Sequence, residues 1–260
     1  MLNDISTMQE MTPEIVAATP ENTSKQLIDT RDNKLYWVAK LADGNCWMTQ
    51  NLDYDITTVN VISNNDGTTS EWRTNKVTST SGFNSAESGA YSYSYDPGSN
   101  YLRNGTGTAT AITCTSVSNG GENCHYHIGN YYQWNAATAG QGGTITNKDA
   151  TSSICPKGWR LPTSNIYTEN YSFGKLTNAY GITNNSKSDT ALLSSPLFFV
   201  RGGYIDADGL YFKGSGGRYW SSTAYSDTSY AYLLNFGISG VTPNTGYYRF
   251  DGYNVRCVAN

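Results

Sequence analysis

The sequence predicts a strand-rich, loop-rich globular domain, and three observations carry that prediction. Aromatic residues make up 13% of the 260 residues (21 Tyr, 7 Phe, 6 Trp), too many for a disordered chain. Only 15% of residues are charged, where roughly 25% is usual in soluble proteins. Ser, Thr and Asn supply about a third of the chain and Gly adds 26 residues, a vocabulary of strands and turns rather than of helical bundles.

The elements follow in order. Residues 1–25 form an N-terminal arm in which Thr12-Pro13-Glu14 starts a short helix, because proline suits the first helical position. A meander comes next: QLIDT, a turn at Arg31-Asp32-Asn33, KLYWVAKLA, a turn at Asp43-Gly44, and NCWMTQNLDY. Asp-Gly between apolar runs is a strong hairpin signal. From 56 to 127 the chain is Ser/Thr/Asn/Gly-rich and reads as a long insertion with short strands, held by a cysteine clasp rather than by its own core. GNYYQWNAATAG is helix-like, with Tyr132, Ala136 and Ala137 spaced for one face, and CPKGWRLPT leads to a helix around 165–180. Residues 192–196 make a turn. A hairpin is centred on Asp206-Ala207-Asp208-Gly209, whose D-x-D-G lacks the later acidic ligands of a calcium loop. The last forty residues alternate polar residues with Tyr, Leu and Phe, and GYNVRCVAN closes the fold as a strand.

A net charge of −4 and scattered Lys and Arg leave no basic patch for nucleic acid. No apolar stretch approaches the roughly 18 residues of a membrane span. MLNDISTMQE has neither the basic start nor the apolar segment of a signal peptide. Low charge, abundant Tyr, Ser, Thr, Asn and Gly, and several cysteines nevertheless suit an extracellular or cell-surface protein. The chain therefore reads as the mature part of an exported protein with Met1 added. Its five cysteines force one free thiol or an intermolecular bond. Cys114 and Cys124 flank a short polar loop and suit a local disulfide clasp. His125 and His127 beside Cys124 offer the competing reading of an H-x-H metal pair on a strand, but a recognisable second pair of zinc ligands is missing, so no metal is expected. A bond between Cys155 and Cys257 would staple the last strand to mid-chain, worth on the order of 4 kcal/mol in the loop-entropy picture. Cys46 lies in an apolar strand and reads as a buried, inert thiol.

The segments DGNCWMTQNLDY, GNYYQWNAAT, CPKGWRLPT, YWSST and GYNVRCV occur in that order, and as a set they resemble the Fibrobacter succinogenes major paralogous domain of bacterial surfaces. The resemblance covers 26–260 apart from the insertion. It implies an α+β, C-type-lectin-like fold with small antiparallel sheets, one or two helices and neighbouring termini, interrupted by the long Ser/Thr/Asn/Gly-rich insertion. The family's paired cysteines map onto Cys155 and Cys257. Related sequences imply a partner for Cys46 near Ile15-Val16, where this chain has Val. Calcium-dependent sugar binding is not implied, because Thr242-Pro243-Asn244 lacks the carboxylate of the lectin motif and Pro243 reads as a turn.

The C-terminal architecture also resembles the variable proteins of diversity-generating retroelements, which mutate template adenines. An AAY codon so altered cannot give Lys, Glu, Gln, Met or Trp. None of these occurs from 221 to 260, whereas residues 1–220 carry nine Lys, seven Glu, five Gln, four Met and six Trp. A Tyr/Ser-rich β-region that simply omits long charged residues explains the window equally well. Either way, Tyr offers contact area at low rotamer cost while Ser, Gly and Asn adapt their hydrogen bonds. The expected ligand-binding region, 218–256, comprises Arg218, Tyr219, Tyr225, Asp227, Tyr230, Asn235, Phe236, Ser239, Asn244, Tyr247, Tyr248, Arg249, Phe250, Asp251 and Tyr253. Tyr232 or Leu234 should pack inward, and 225–230 and 244–253 should be exposed. The function expected is non-enzymatic recognition of a protein or glycan ligand, with no cofactor. The competing readings are a copper oxidase related to the formylglycine-generating enzymes, which needs a close Cys pair, and a structural surface coat.

Overall fold

The computed structural model describes residues 1–55, 121–143, 145–165, 170–183 and 186–260, together with Gly105, Thr106 and four short strands between 61 and 94. It is a mixed α+β protein with small antiparallel sheets and few, short helices. Helix α1 (Pro13–Ala18) starts where proline placed it, with the Thr12 side chain accepting from the Ile15 amide. Strands β1 (Ser24–Asp29), β2 (Lys34–Lys40) and β3 (Cys46–Met48) form the anticipated antiparallel meander. Its turns use Asn33 at φ 60° and Gly44 at φ 83°, left-handed conformations that suit these two residue types.

Strands β4 (Val61–Ser63) and β5 (Thr69–Glu71) pair antiparallel. Strand β6 (Asn75–Val77) runs parallel to β7 (Tyr91–Ser94), which pairs antiparallel with β8 (Asn130–Tyr132). The helix expected across GNYYQWNAATAG is thus divided: Tyr132 belongs to β8, and helix α2 is only Trp134–Ala137. Two consecutive tyrosines favour a strand more than an amphipathic helix. Strand β9 (Trp159–Arg160) precedes helix α3 (Ser172–Ala179), and residues 166–169 of the expected helix lie outside the described residues. Helix α4 (Thr190–Leu193) occupies the start of the segment read as a turn. The D-x-D-G hairpin forms from β10 (Tyr204–Ile205) and β11 (Leu210–Tyr211), with Asp206 Oδ1 accepting from the amides of Asp208 and Gly209. Strands β12 (Gly216–Ala224), β13 (Tyr230–Gly237) and β14 (Gly240–Tyr248) make a three-stranded sheet, and β15 (Val258–Ala259) closes the chain. Pro243 is not in a turn. It lies in β14 where the register with β13 shifts, and an edge strand with a bulge tolerates the missing N–H.

Strand order β1-β2-β3-β15-β9 brings the first and last strands into one sheet. Alternation divides the core between its two faces: Val38, Cys46, Met48, Cys257 and Ala259 enter one apolar cluster, while Ala39, Trp47 and Val258 enter another. Strands β12 and β13 likewise send Trp220, Ala231 and Leu233 to the first cluster and Tyr219, Leu234 and Phe236 to the second. Residues 1–18 are folded against the first cluster, burying Leu2, Ile5, Met8, Met11 and Val16. Cys155–Cys257 is bonded across 102 residues, and Cys124 is disulfide-bonded. The expected partner of Cys124, Cys114, lies outside the described residues, as does most of the 56–127 insertion. Cys46 is a buried free thiol in the same cluster as Val16, and burial pushes it up to about 11.

Four of the five ordered motif segments carry a Trp, and these four have a common physical role. Each indole is buried and donates its N–H: Trp47 to Asp43 Oδ2 (2.8 Å), Trp134 to Ser221 O (2.8 Å), Trp159 to Met8 O (2.8 Å) and Trp220 to Tyr132 O (2.7 Å). A large ring fills the core while its one polar atom is satisfied, which ties distant segments together. Arg256 of GYNVRCV acts similarly. Its guanidinium donates to Asn51 Oδ1 (2.7 Å), Leu197 O (2.6 Å) and Phe198 O, and lies 4.3 Å above the Phe199 ring.

Candidate ligand-binding face

Strands β12, β13 and β14 position the aromatic residues of the C-terminal region. Register places Tyr230 opposite Tyr248 and Tyr232 opposite Gly246. The missing side chain at 246 leaves space for Tyr225, onto whose ring a Cβ there would close to 3.2 Å. The result is a continuous ladder of rings: Tyr232–Tyr225 4.9 Å, Tyr225–Tyr230 6.1 Å, Tyr230–Tyr248 4.6 Å and Tyr248–Phe250 4.8 Å between centroids. Tyr232 and Leu234 are both packed, where one of the two was expected to be, whereas Tyr225, Tyr230 and Phe250 are half-buried and Tyr248 is 43% exposed. A hydrogen bond with Tyr248 pushes the Tyr230 hydroxyl up to about 12. Asp227 sits at the tip of the 225–230 loop, its Oδ1 accepting from the Ser229 amide (2.8 Å).

Five expected contact residues are internal instead. Tyr219 lies fully buried with its hydroxyl on Val200 O (3.1 Å). Phe236 stacks on Tyr219, and Gly217 makes that possible: a Cβ there would fall 2.2 Å from the Phe236 ring. Arg249 is 1% exposed, lies 4.4 Å over Trp134, and donates to Tyr230 O, Gly142 O and Ile145 O at 2.7–2.8 Å. Tyr253 packs edge-on against Trp220 and donates to Asp251 Oδ2 (2.7 Å), which buries both partners. Apart from half-buried Phe250, residues 249–253 are therefore interior, contrary to expectation. Arg249 there satisfies three backbone carbonyls and Tyr253 a side-chain carboxylate, demands that composition does not reveal. The remaining expected residues do not all converge. Asn235 lies opposite Thr242, Ser239 is in the β13–β14 turn at the far end from Tyr230, and Asn244 lies between them in the irregular part of β14.

Residues outside 218–256 complete the face. The β10–β11 hairpin stands beside the Tyr247–Asp251 segment, and between them is a cleft of about 350 Å³. Its aromatic lining is Tyr204, Tyr247, Tyr248 and Phe250; its carboxylates are Asp206, Asp208 and Asp251. Arg218 lies 4.2 Å from the centroid of Tyr204 and 4.6 Å from that of Tyr247, with its Nη2 donating to the Tyr247 hydroxyl (3.2 Å). Burial pushes the Asp251 carboxyl up to about 6, against the Tyr253 hydrogen bond and with Asp206 adding to the rise. The hairpin's signal was an acidic turn flanked by Tyr204, Tyr211 and Phe212; the last two are 38% and 56% exposed.

The two histidines are separated rather than paired. Residues 121–126 form a 3-10 turn, not a strand, and His125 is stacked between Trp37 (4.9 Å) and Phe198 (4.0 Å) with Nδ1 on Thr49 O (3.1 Å). Burial pulls its pKa down to about 3. His127 is buried near Asp53, and burial lowers its pKa too. Among the described residues, no group of three or more His, Cys, Asp or Glu side chains is placed to hold a metal ion, and no helix is long and apolar enough to cross a membrane. Comparison of the chain with protein-family models, with curated proteins and with solved structures gives no match in any of the three.

Proposed function

We propose that this protein is a non-enzymatic binding module, exposed at a bacterial cell surface or secreted, that recognises a protein or glycan ligand through its C-terminal face. The carrying observation is the ladder Tyr225–Tyr230–Tyr248–Phe250, four partly exposed rings on and beside the ends of β12, β13 and β14. Such rings lose little entropy on contact and bury large areas, the quality that antibody loops exploit. The ordered motifs of the sequence support a C-type-lectin-like frame, and the absence of five residue types from 221 to 260 supports retroelement diversification of the face. Cysteine placement supports binding over copper oxidation, since Cys155 is bonded to Cys257 and Cys46 stands apart in the core.

The test is a ligand screen of the full chain beside a variant carrying Tyr225→Ser, Tyr230→Ser, Tyr248→Ser and Phe250→Ser on arrays of surface proteins and glycans. The expected result is a ligand held by the native chain and lost by the variant, with both folded by circular dichroism. Ligands held equally by both proteins, or no ligand at all, would overturn the reading.

A further inference from the structure

The cleft beside the ladder has a chemistry of its own. One wall is the hairpin with Asp206 and Asp208, the other the segment from Tyr247 to Asp251. Asp251 is only 5% exposed. Its Oδ2 accepts from Tyr253, and among the described residues its Oδ1 accepts no hydrogen bond. A carboxylate oxygen that lines the cleft on a largely buried residue and has no protein donor is free to accept one from a ligand. Three carboxylates against Arg218 leave the cleft two negative charges in excess. Arg218 gives its Nη2 to Tyr247 and stacks behind the lining rings rather than bonding Asp251, whose bonded partner is the Tyr253 hydroxyl.

We infer that this cleft receives a basic side chain, an arginine or lysine of a protein ligand, with the cation bonded to Asp251 and its flat face or stem against Tyr248 and Phe250. The inference rests on the binding reading above and narrows its ligand to a protein presenting a cation. Tyr248 and Phe250 stack face to face at 4.8 Å with 23° between planes and both line the cleft, so a guanidinium can lie against the ring face that the stack leaves uncovered. A volume of about 350 Å³ accommodates one such side chain with its hydration, but not a folded segment. Asp208 stands exposed at the mouth, placed to attract the cation before it reaches Asp251.

The experiment is titration of the isotopically labelled full chain with acetyl-Gly-Arg-Gly-amide, its lysine counterpart, and the neutral citrulline twin, read by NMR and calorimetry. Saturable shifts at Tyr204, Tyr248 and Phe250 are expected with the arginine or lysine peptide, and binding of the citrulline peptide about tenfold weaker. Asp208→Asn, on the exposed rim, should weaken the cationic peptides about threefold with an unchanged melting temperature, and Asp251→Asn should weaken them more. Equal binding of arginine and citrulline peptides, shifts that map elsewhere, or no saturable binding of either cationic peptide would each overturn the inference. Absence of peptide binding to the native chain while a screened ligand still depends on Tyr225 and Tyr230 sinks the cation site alone. Failure of both experiments sinks the binding reading with it.

Discussion

His125 is the sharpest internal probe of this structure, because its ring is held neutral by its surroundings. It lies 2% exposed between Trp37 and Phe198, and burial draws its pKa from the ordinary 6.5 to about 3. In the window between those two values the unfolded chain binds a proton that the folded ring refuses. Stability therefore rises with pH across the window and is lost as pH falls through it. At pH 4.5, two units below the unfolded value and at about 1.4 kcal/mol per unit, the His125 loss is about 2–3 kcal/mol. His125→Phe keeps a flat ring in the stack but cannot titrate. It strands the Thr49 carbonyl and hydroxyl that meet Nδ1 at 3.1 and 3.0 Å, a cost of about 1–3 kcal/mol at every pH. Urea unfolding of both proteins at pH 7.0, 5.5 and 4.5 isolates the ring, because His127 (lowered by burial) and Asp32 and Asp251 (each raised to about 6) contribute to both alike. The variant should be less stable than the native chain at pH 7.0 and should gain about 2–3 kcal/mol on it by pH 4.5. A stability difference that stays constant from pH 7.0 to 4.5 would refute the buried, neutral His125.

Two further outcomes follow from the interior. Replacing both Cys155 and Cys257 by Ala opens a loop of 102 residues in the unfolded chain and should cost about 4–5 kcal/mol, measured as a lower urea midpoint under non-reducing conditions. Arg249→Met should cost about 3 kcal/mol in the same assay, because three carbonyls lose their donor, while the native exposure of the ladder tyrosines to solvent quenchers stays unchanged if the residue is structural.

What the sequence made legible was local and periodic. The Asp43-Gly44 and Arg31–Asn33 turns, the Thr12-Pro13 helix start, the D-x-D-G hairpin and the closing strand each rest on interactions within a few residues, and each is present. The long-range polar contacts were hidden. Nothing in YYRFDGY announces that Arg249 turns inward to carbonyls more than a hundred residues earlier, at 142 and 145, or that Tyr253 is spent on Asp251 and Trp220. Aromatic count alone could not separate outward tyrosines from inward ones, since β13 and β12 are buried on both faces and lack a clean alternation. The cleft was missed for a related reason. Its acidic wall belongs to a hairpin forty residues from the other wall, and long-range contacts such as the Ile205–Gly252 bridge and Arg218 between Tyr204 and Tyr247 bring them together.

This division between outward and inward residues sets a condition on how the proposed face can change. Truncating Tyr225, Tyr230 or Tyr248 removes a ring that is already partly in water, so each change costs at most about 1 kcal/mol. The same truncation at Tyr253, fully buried at 4.5 Å from Trp220, removes core volume and leaves Asp251 without its donor, a loss of about 3–5 kcal/mol. A domain of ordinary stability, about 5–15 kcal/mol, absorbs several changes of the first kind and barely one of the second. A face rewritten by diversification must therefore vary at 225, 230, 244 and 248 while holding 219, 236, 249 and 253 constant. Sequences of this locus from many cells of one population would contradict that mechanism if substitutions fell equally on both sets. The buried residues of β12 and β13 hold the frame fixed, and the half-buried residues of the 225–230 loop and of β14 are the ones left free to change.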